Sequence, residues 1–523
     1  MRMSMRQRRR GFWLLPVAAV LLLGAWPSGN VYGQGRGATL RIALGTDVSI
    51  FDAARATGLQ TFGIINQVTE TLVLLDHKGR PVPHLATSWS LSKDGRTWTI
   101  KLRPGIKFTD GTPLDAAAVK FNIERMRQLS PGRAAVGMVT GVSVVDDTTV
   151  AIHTEGGTYQ PLIATLAYGP MAMNSPAAVQ RLGDRYGTPE GGAAGTGPFR
   201  FVSWRRGQEI RLEVNREYWG GAPKLEAVVM RVIPDTGARI IALESGDVDL
   251  IHNVPPADAT RLSRTGRFAI INPPSVRVLR LYLNNSWGSL QDKKVRQAVC
   301  FAINRDAIIR SLFQGLGKAS DSPVPSAAYG YVSIPTYKYN LIRARALLRD
   351  AGLPQGFEMT LHYAPGRWLL DNEIVEAMQA DLARVGIRVR VVAVDFATLA
   401  TLQRRPAEQS PLQATFNGWA AANMDADRAI QDFAVDSFPP NGQNLSFYSN
   451  KDVDRLIAFQ QRTINGNARL FALKRIQEMV MADSPACFLY EQPIIWAVKA
   501  GVKNVDSDAT EVLYPLVKAE VGP

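Results

Sequence analysis

From residue 275 onward the chain alternates between strand-like and helix-like segments, and this pattern restricts the possible folds more than any other feature. Residues 278–283 and 359–363 are short runs rich in apolar residues, as strands of a covered sheet are. Between them, Asp292 can cap a helix whose apolar residues Val295 and Val299 share one face. Strands that alternate with helices predict an α/β fold, in which sheets and helices form packed layers.

A different pattern fills residues 76–194. Asp94-Gly95 stands between two alternating runs, and this dipeptide in that position is a strong hairpin signal. Asp115 can then cap a helix. A glycine-rich stretch at 190–197 marks a boundary, and a chain of 523 residues is long enough for about three domains.

The first 33 residues form a separate segment. Five arginines in the first ten positions precede an apolar run at 12–23, which Pro27 closely follows. The run is too short for a typical spanning helix, and the arrangement is that of a cleaved signal peptide. An uncleaved anchor is the alternative, and Arg9-Arg10 leaves twin-arginine export open beside the general secretory (Sec) route. Because no cysteine precedes Cys300, we expect no lipid anchor and predict a soluble periplasmic protein.

The charge pattern does not indicate a nucleic-acid partner. The formal net charge of +14 falls to +9 once the five arginines of residues 1–33 are removed. The remaining basic residues are scattered or paired, as at Arg205-Arg206, and form no run or stripe. We therefore expect a solvated basic surface that binds no nucleic acid.

The two cysteines, Cys300 and Cys487, each lie among apolar neighbours in the sequence. Small apolar-flanked cysteines are usually buried, so we expect two buried free thiols. A disulfide between them stays open, because the sequence does not show whether the two positions meet in the fold.

The sequence contains few of the residue patterns that enzymes use. No two of its five histidines stand at a metal-ligand spacing, so no metal site is expected. It has no Gly-x-Ser-x-Gly elbow and no phosphate-binding loop, and we expect no cofactor. Asp425 and Asp427 could form an acid–base pair with split pKa values, which keeps an exported hydrolase open as an alternative. The scarcity of catalytic patterns favours a binding protein that is not an enzyme.

Residues 418–427 combine the end of an extended run, a large aromatic residue and two acids. Trp419 follows the run 412–417, and Asp425 lies in the polar loop beyond it. An aromatic residue between a strand and an irregular loop is a suitable wall for a small-molecule cleft. Trp419 can also be an ordinary core residue that precedes a solvated acidic turn.

Five further stretches form one larger pattern along the chain. They are Glu70-Thr71-Leu72-Val73 with Pro83-His84-Leu85-Ala86; Asp94-Gly95 through Lys107-Phe108-Thr109-Asp110-Gly111; Gly195-Thr196-Gly197-Pro198-Phe199 through Tyr218-Trp219; Leu243-Glu244-Ser245-Gly246-Asp247; and Val295-Arg296-Gln297-Ala298 through Asn304-Arg305. In this order they resemble solute-binding protein family 5 of ABC importers, the dipeptide, oligopeptide and nickel type. The resemblance covers nearly all of the chain after residue 33, but its motifs belong to the scaffold and say little about the ligand.

The resemblance implies a periplasmic-binding-protein-like α/β fold of two lobes with an inserted extra domain, the type II, cluster C architecture. Lobe one would comprise residues 36–75, 195–274 and 490–523, the inserted domain 76–194, and lobe two 275–489. The lobes would close on a small peptide or peptide-like solute, and the monomer would deliver it to an inner-membrane ABC permease and its ATPase. An opine, glutathione, an oligosaccharide or a metal chelate remain alternative ligands.

The resemblance also implies how one end of a peptide would be held. Peptide binders of the family bind the α-ammonium with an acid three residues beyond the tryptophan, and here that position is Ala422. Asp425 matches the next acid of the motif. A buried ammonium without a carboxylate is costly, so Asp425 or Asp47 would have to replace the missing acid.

The other end of the ligand is expected to meet an arginine. Arg367, next to Trp368, fills the place of a family arginine that binds a ligand carboxylate. The alternative is an arginine tied to Asp371, which is expected to cap the helix that follows. On lobe one, the resemblance places four residues along the cleft, with Tyr168 and Met171 as further candidates. These four are Thr46, Asp47, Leu59 and Gln60.

Overall fold

The computed structural model describes residues 38–129, 136–155, 161–335, 337–505, 510 and 516–522. The signal peptide predicted for residues 1–33 therefore lies outside the described residues. Inside these ranges, no helix combines the length and the apolar character that a membrane span requires.

The described strands belong to three larger sheets and two small hairpin-like pairs. They are β1 (Ala38–Leu44), β2 (Val73–Leu75), β3 (Pro81–Pro83), β4 (Ala86–Leu91), β5 (Thr97–Leu102), β6 (Val139–Asp146), β7 (Thr149–Thr154), β8 (Phe199–Arg205), β9 (Glu209–Val214), β10 (Leu225–Val232), β11 (Leu250–His252), β12 (Phe268–Ile271), β13 (Arg277–Leu283), β14 (Lys318–Ala319), β15 (Glu358–Tyr363), β16 (Arg388–Ala393), β17 (Ala414–Ala420), β18 (Ala486–Glu491), β19 (Trp496–Lys499), β20 (Val502–Lys503) and β21 (Glu520–Val521).

The described α-helices lie between these strands and cover the sheets. They are α1 (Leu59–Ile65), α2 (Ala116–Gln128), α3 (Leu162–Thr165), α4 (Pro176–Leu182), α5 (Thr236–Ser245), α6 (Pro256–Arg264), α7 (Lys293–Ala302), α8 (Arg305–Ser311), α9 (Leu341–Asp350), α10 (Asp371–Ala383), α11 (Phe396–Gln403), α12 (Ala426–Ile430), α13 (Lys451–Arg462) and α14 (Gly466–Asp483). The predicted α/β class is confirmed.

The first large sheet has seven strands in the order β12-β19-β11-β1-β10-β9-β8. Its strand β1 is parallel to both neighbours, whereas β8, β9 and β10 form an antiparallel meander. Phe62 and Ile65 of α1 share a buried core with Leu40 and Ile42 of β1. This packing fixes the loop that joins the carboxyl end of β1 to α1.

The second large sheet has six strands in the order β14-β18-β13-β17-β15-β16. Strand β13 is antiparallel to β17, with Arg277 opposite Ala420, and β17 is parallel to β15. The start of β13 and the ends of β15 and β17 therefore lie at one edge of the sheet. That edge brings together loops that are far apart in the sequence.

A third sheet is antiparallel, in the order β4-β5-β7-β6. The predicted hairpin at Asp94-Gly95 is confirmed: the turn joins β4 to β5, and Gly95 has a φ of 72°. The predicted cap at Asp115 is also confirmed, because its Oδ1 accepts a hydrogen bond of 2.7 Å from the Ala118 amide. Val119 and Ile123 of α2 pack into the core under this sheet.

The expectation of two free thiols is wrong. Cys300 of α7 and Cys487 of β18 are both buried, as predicted, but they form a disulfide across a sequence separation of 187 residues. Helix α7 packs against β18, which brings the two Cα atoms to 5.1 Å. The pairing depends on this tertiary contact, so the apolar neighbours in the sequence could not reveal it.

Candidate functional site

The shared edge of the six-stranded sheet carries a cluster of arginine and aromatic side chains. Arg367 and Trp368 lie in the loop between β15 and α10. The Arg367 guanidinium carbon lies 4.7 Å from the Trp368 ring centre and 4.4 Å from that of Phe396. The Arg277 guanidinium, at the start of β13, lies 4.9 Å from the Trp368 ring. Two guanidinium groups therefore stack on one indole, an arrangement that holds both cations in place.

Trp419 lies next to this cluster at the end of β17. Because Gly418 has no side chain, Trp368 packs close to the strand: a Cβ on Gly418 would lie 3.2 Å from the Trp368 ring. The guanidinium of Arg428 lies 4.8 Å from the Trp419 ring centre, and the indole Nε1–H donates to the Arg428 carbonyl at 3.3 Å. Trp419 is half-buried, and it lines neither of the two cavities described below.

Asp371 holds the loop that carries Arg367. Its two carboxylate oxygens accept hydrogen bonds from the amides of Gly366, at 3.1 Å, and Trp368, at 2.8 Å. Asp371 was expected to cap the helix, but the residue that precedes the helix is Leu370, with a left-handed φ of 58°. The carboxylate instead fixes the loop backbone around Arg367.

The two acids of residues 418–427 face the interior. Asp425 binds both terminal nitrogens of Arg469, at 2.9 and 2.6 Å, and also accepts from the Asp427 amide. The Asp427 oxygens accept hydrogen bonds from side-chain amides of Gln431 and Gln461, at 2.7 and 2.9 Å, and also from Gln460. Burial and then the charge of Asp425 raise the pKa of Asp427. All four carboxylate oxygens of Asp425 and Asp427 accept hydrogen bonds inside the protein.

Three of the four residues expected on lobe one line a cavity of about 450 Å³ beside α1. They are Thr46, Asp47 and Gln60. The Asp47 carboxylate accepts hydrogen bonds from the Trp204 indole and the amides of Val48 and Gly207, so it ties this loop to the turn between β8 and β9. Neither Asp47 nor Asp425 presents an unengaged carboxylate to a ligand ammonium.

The buried His252 supports the same loop, because its Nε2 accepts a hydrogen bond of 3.0 Å from the Gly45 amide. Burial, and secondly the charge of Arg239, lower the pKa of His252 to about 4 from 6.5. The unfolded chain therefore binds more protons between these values. The stability from neutral His252 is complete above pH 6.5 and is lost as the pH falls through about 4.

We expect this loss to reach about 3 kcal/mol, the equivalent of the pKa difference. Urea unfolding of the wild type and of His252→Gln, at neutral pH and near pH 4, measures it. The variant keeps an acceptor for Gly45 but does not titrate, so its stability should fall less on acidification. An equal fall in both proteins would show that His252 does not carry the effect.

A second cleft, of about 670 Å³, lies between α1 and Ala422, in the middle of residues 418–427. Leu59 and Tyr168 line one side, and Ala422 contributes to its lining from the loop after β17. The turn between β2 and β3 reaches the same loop: a Cβ on Gly79, whose φ is 70°, would lie 2.4 Å from the Met424 carbonyl oxygen. The cleft is thus bordered by elements packed on different sheets.

The predicted site residues therefore divide among several places. The structure brings Arg367 and Trp368 together, and it places Asp425 in an interior ion pair. Trp419 follows Gly418, the residue on which Trp368 packs, and its own ring contacts Arg428. Sequence reasoning missed Arg277, at the start of β13, and Arg428, in the middle of the short helix α12, since neither has distinctive neighbours in the sequence. The pairing of β13 with β17 is the signal that would have found Arg277. Within the described ranges, no group of three or more His, Cys, Asp or Glu side chains is arranged to hold a metal ion.

The protein has two large sheets covered by helices, a third, antiparallel sheet, and a cleft with aromatic lining between them. This arrangement is that of a two-lobed binding protein. Known proteins share this architecture. DppA of Helicobacter pylori, a periplasmic binding protein solved with the peptide STSA, has a TM-score of 0.78 at 26% identity, over 93% of this chain and 98% of DppA. NikA of Brucella suis, solved with Fe(III)-EDTA, has a TM-score of 0.82 at 25% identity, over 92% of this chain and 99% of NikA.

In sequence, the glutathione-binding protein GsiB of Pectobacterium atrosepticum is 30% identical over 462 residues, which cover 87% of this chain and 89% of GsiB. The family model described as bacterial extracellular solute-binding proteins, family 5, matches residues 80–438. The chain belongs to this family, whose members serve ABC importers. The predicted family, fold class and role as a solute-binding protein are confirmed.

Proposed function

We propose that this protein captures an acidic, peptide-like solute in the periplasm and delivers it to an ABC permease and its ATPase, with glutathione as the first candidate. The observation that carries the proposal is the position of Arg367, stacked between Trp368 and Phe396 in a loop fixed by Asp371. A guanidinium held in this way suits a ligand carboxylate. The name of the relative GsiB supports glutathione, which carries two carboxylates and one ammonium.

The absence of an acid at position 422 supports the same choice over an ordinary peptide. Ala422 lines the cleft, while the carboxylates of Asp425 and Asp47 are engaged elsewhere. A ligand ammonium would have to be buried without either of these partners, and that is costly. Glutathione lessens this cost relative to a dipeptide, because its own α-carboxylate stands next to its ammonium. The protein binds the solute and delivers it to the permease without catalysing a reaction on it.

The three larger sheets support the domain limits that we propose, although β18 continues two residues past residue 489 and the β2–β3 pair spans the limit at residue 75. We propose lobe one as residues 36–75, 195–274 and 490–523, the inserted domain as 76–194 and lobe two as 275–489. The seven-stranded sheet supports lobe one and the six-stranded sheet supports lobe two. Residues 1–33 serve as a cleaved signal peptide of a soluble monomer, and N-terminal sequencing of the exported protein tests this. An intact Met1 would contradict it.

Thermal shift and calorimetry on the mature protein test the ligand. Glutathione should raise the melting temperature, because a ligand that binds only the folded state stabilises it. Arg367→Ala should weaken binding by about 2–5 kcal/mol, the loss typical when one partner of a buried charge pair is removed. Arg349→Ala, an exposed arginine of α9, serves as the matched control.

The same screen should include glutathione disulfide, dipeptides, opines, oligosaccharides and nickel or iron chelates. Stronger binding of any of these would replace glutathione as the ligand but leave the importer function intact. Equal affinity of the wild type and Arg367→Ala would remove Arg367 from the site. No binding by the whole panel would contradict the proposed ligand class.

A further inference from the structure

Arg428 is an exposed cation beside the cleft wall. Its guanidinium stacks on Trp419 at 4.8 Å, while its carbonyl accepts the indole N–H. Among the residues that the structure describes, no oxygen accepts a hydrogen bond from the Arg428 guanidinium. The side chain is therefore held in position by the aromatic ring and keeps its hydrogen-bond donors for another molecule.

Tyr168 lies on the opposite wall of the cleft and packs edge-on against Phe62 of α1. Burial raises the pKa of Tyr168, while the charges of Arg428 and then Arg277 lower it. Both guanidinium groups therefore lie close enough to act on the phenol. Tyr168, Ala422 and Glu70 line this cleft. The guanidinium groups of Arg428 and Arg277 are not part of that lining but are held beside it, on Trp419 and Trp368.

The acids of the same loop do not neutralise this region directly. Asp425 pairs with Arg469, and Asp432 pairs with the buried Arg280 at 2.9 Å. Arg428 also acts electrostatically on Asp432, but that carboxylate is already committed to Arg280. The Glu70 carboxylate, which also lines the cleft, already accepts hydrogen bonds from Tyr218, Trp219 and Thr196. Arg428 and Arg277 therefore contribute a positive field beside Tyr168. Such a field favours an anion and disfavours an ammonium.

We propose that Arg428, with Arg277 beside it and Tyr168 opposite, forms a second carboxylate-binding position in the cleft. The inference rests on the proposed function and deepens it, because it makes the ligand class peptide-like molecules with a carboxylate at both ends. A γ-glutamyl peptide meets this requirement, since its γ-linked residue keeps a carboxylate next to its ammonium. An ordinary dipeptide has only an ammonium at that end.

Two analogues of glutathione separate the charges. Glutaryl-Cys-Gly lacks the ammonium and keeps both carboxylates, whereas γ-aminobutyryl-Cys-Gly lacks the carboxylate of the first residue and keeps the ammonium. By calorimetry, the first should bind about as well as glutathione, and the second roughly 10- to 100-fold more weakly, as for the loss of one charged hydrogen-bond pair.

Arg428→Ala should weaken the binding of glutathione and of glutaryl-Cys-Gly by a similar factor. The affinity for γ-aminobutyryl-Cys-Gly should stay almost unchanged. Arg428→Lys should restore part of the affinity, since it keeps the charge but not the guanidinium plane. Arg264→Ala, an exposed arginine at the end of α6, is the matched control and should bind like the wild type. Circular dichroism confirms that each variant is folded.

The results distinguish this inference from the proposed function. Equal affinity for the two analogues, or a loss in Arg428→Ala that is the same for both, would overturn the second carboxylate position while solute binding stands. If glutathione and its analogues do not bind, succinyl-Ala-Ala is compared with Ala-Ala-Ala. If the protein prefers the succinylated peptide, and Arg428→Ala weakens the binding of that peptide, the second carboxylate position is upheld for another ligand. Preference for the free ammonium, or no binding at all, overturns it.

Discussion

Replacement of Arg469 by methionine is expected to lower the free energy of unfolding by about 3–5 kcal/mol. The Arg469 and Asp425 side chains are only 6% and 4% exposed, and their two hydrogen bonds form a parallel pair. Methionine fills much of the same volume but leaves the Asp425 carboxylate buried without its cation. The cost of that uncompensated charge dominates the expected change. Urea unfolding followed by circular dichroism at neutral pH measures it.

The double variant Asp425→Asn/Arg469→Met removes both charges and should recover most of the stability. Asparagine can still accept the hydrogen bond that Asp425 receives from the Asp427 amide at 2.8 Å, so the cap of α12 is kept. Arg455→Met, which breaks an exposed ion pair with Asp452, is the surface control and should change little. A loss below about 1 kcal/mol in Arg469→Met alone would contradict a structural role for the pair.

The same double variant also tests the earlier interpretation of Asp425 as a ligand contact. If Asp425 only supports the loop, the double variant should bind solute nearly as well as the wild type. If its carboxylate contacts a ligand ammonium, binding should be lost even though stability returns. The two roles of Asp425 therefore give opposite results in one protein.

Features that depend on neighbours in the sequence were predictable. The hairpin at Asp94-Gly95 and the cap at Asp115 each require only a few adjacent residues, and both form as predicted. The apolar runs at 278–283, 359–363 and 412–417 overlap β13, β15 and β17 of the six-stranded sheet for the same reason. The prediction that Asp371 caps the helix was wrong. Its carboxylate instead accepts hydrogen bonds from the amides of Gly366 and Trp368, which lie in a loop without regular structure.

The site was predictable only in part. The sequence indicated Trp419 and Arg367 because each stands where an element ends, and the end of a strand is where loops can form a cleft. It could not show that Asp425 meets Arg469, which lies 44 residues away. Nor could it show that Arg277 and Arg428 approach Tyr168, since that requires the pairing of β13 with β17 and the packing of separate sheets.

Loss of the disulfide is the second large effect that we expect. Cys300→Ala/Cys487→Ala should lower the free energy of unfolding by about 2–5 kcal/mol, because a bridge across a long loop restricts the unfolded chain. The separation of 187 residues puts the expected value near the upper end of this range. Urea unfolding of the wild type and the double variant, each with and without dithiothreitol, measures the change.

Dithiothreitol should destabilise the wild type and leave the double variant unaffected, because only the wild type has a bond to reduce. Thiol titration of the unreduced, denatured wild type should find no free thiol. Two free thiols would instead restore the expectation from the sequence. Disulfides persist in oxidising compartments and are rare in reducing ones. A bridge between α7 and β18 would therefore support the periplasmic location on grounds that are independent of the signal peptide.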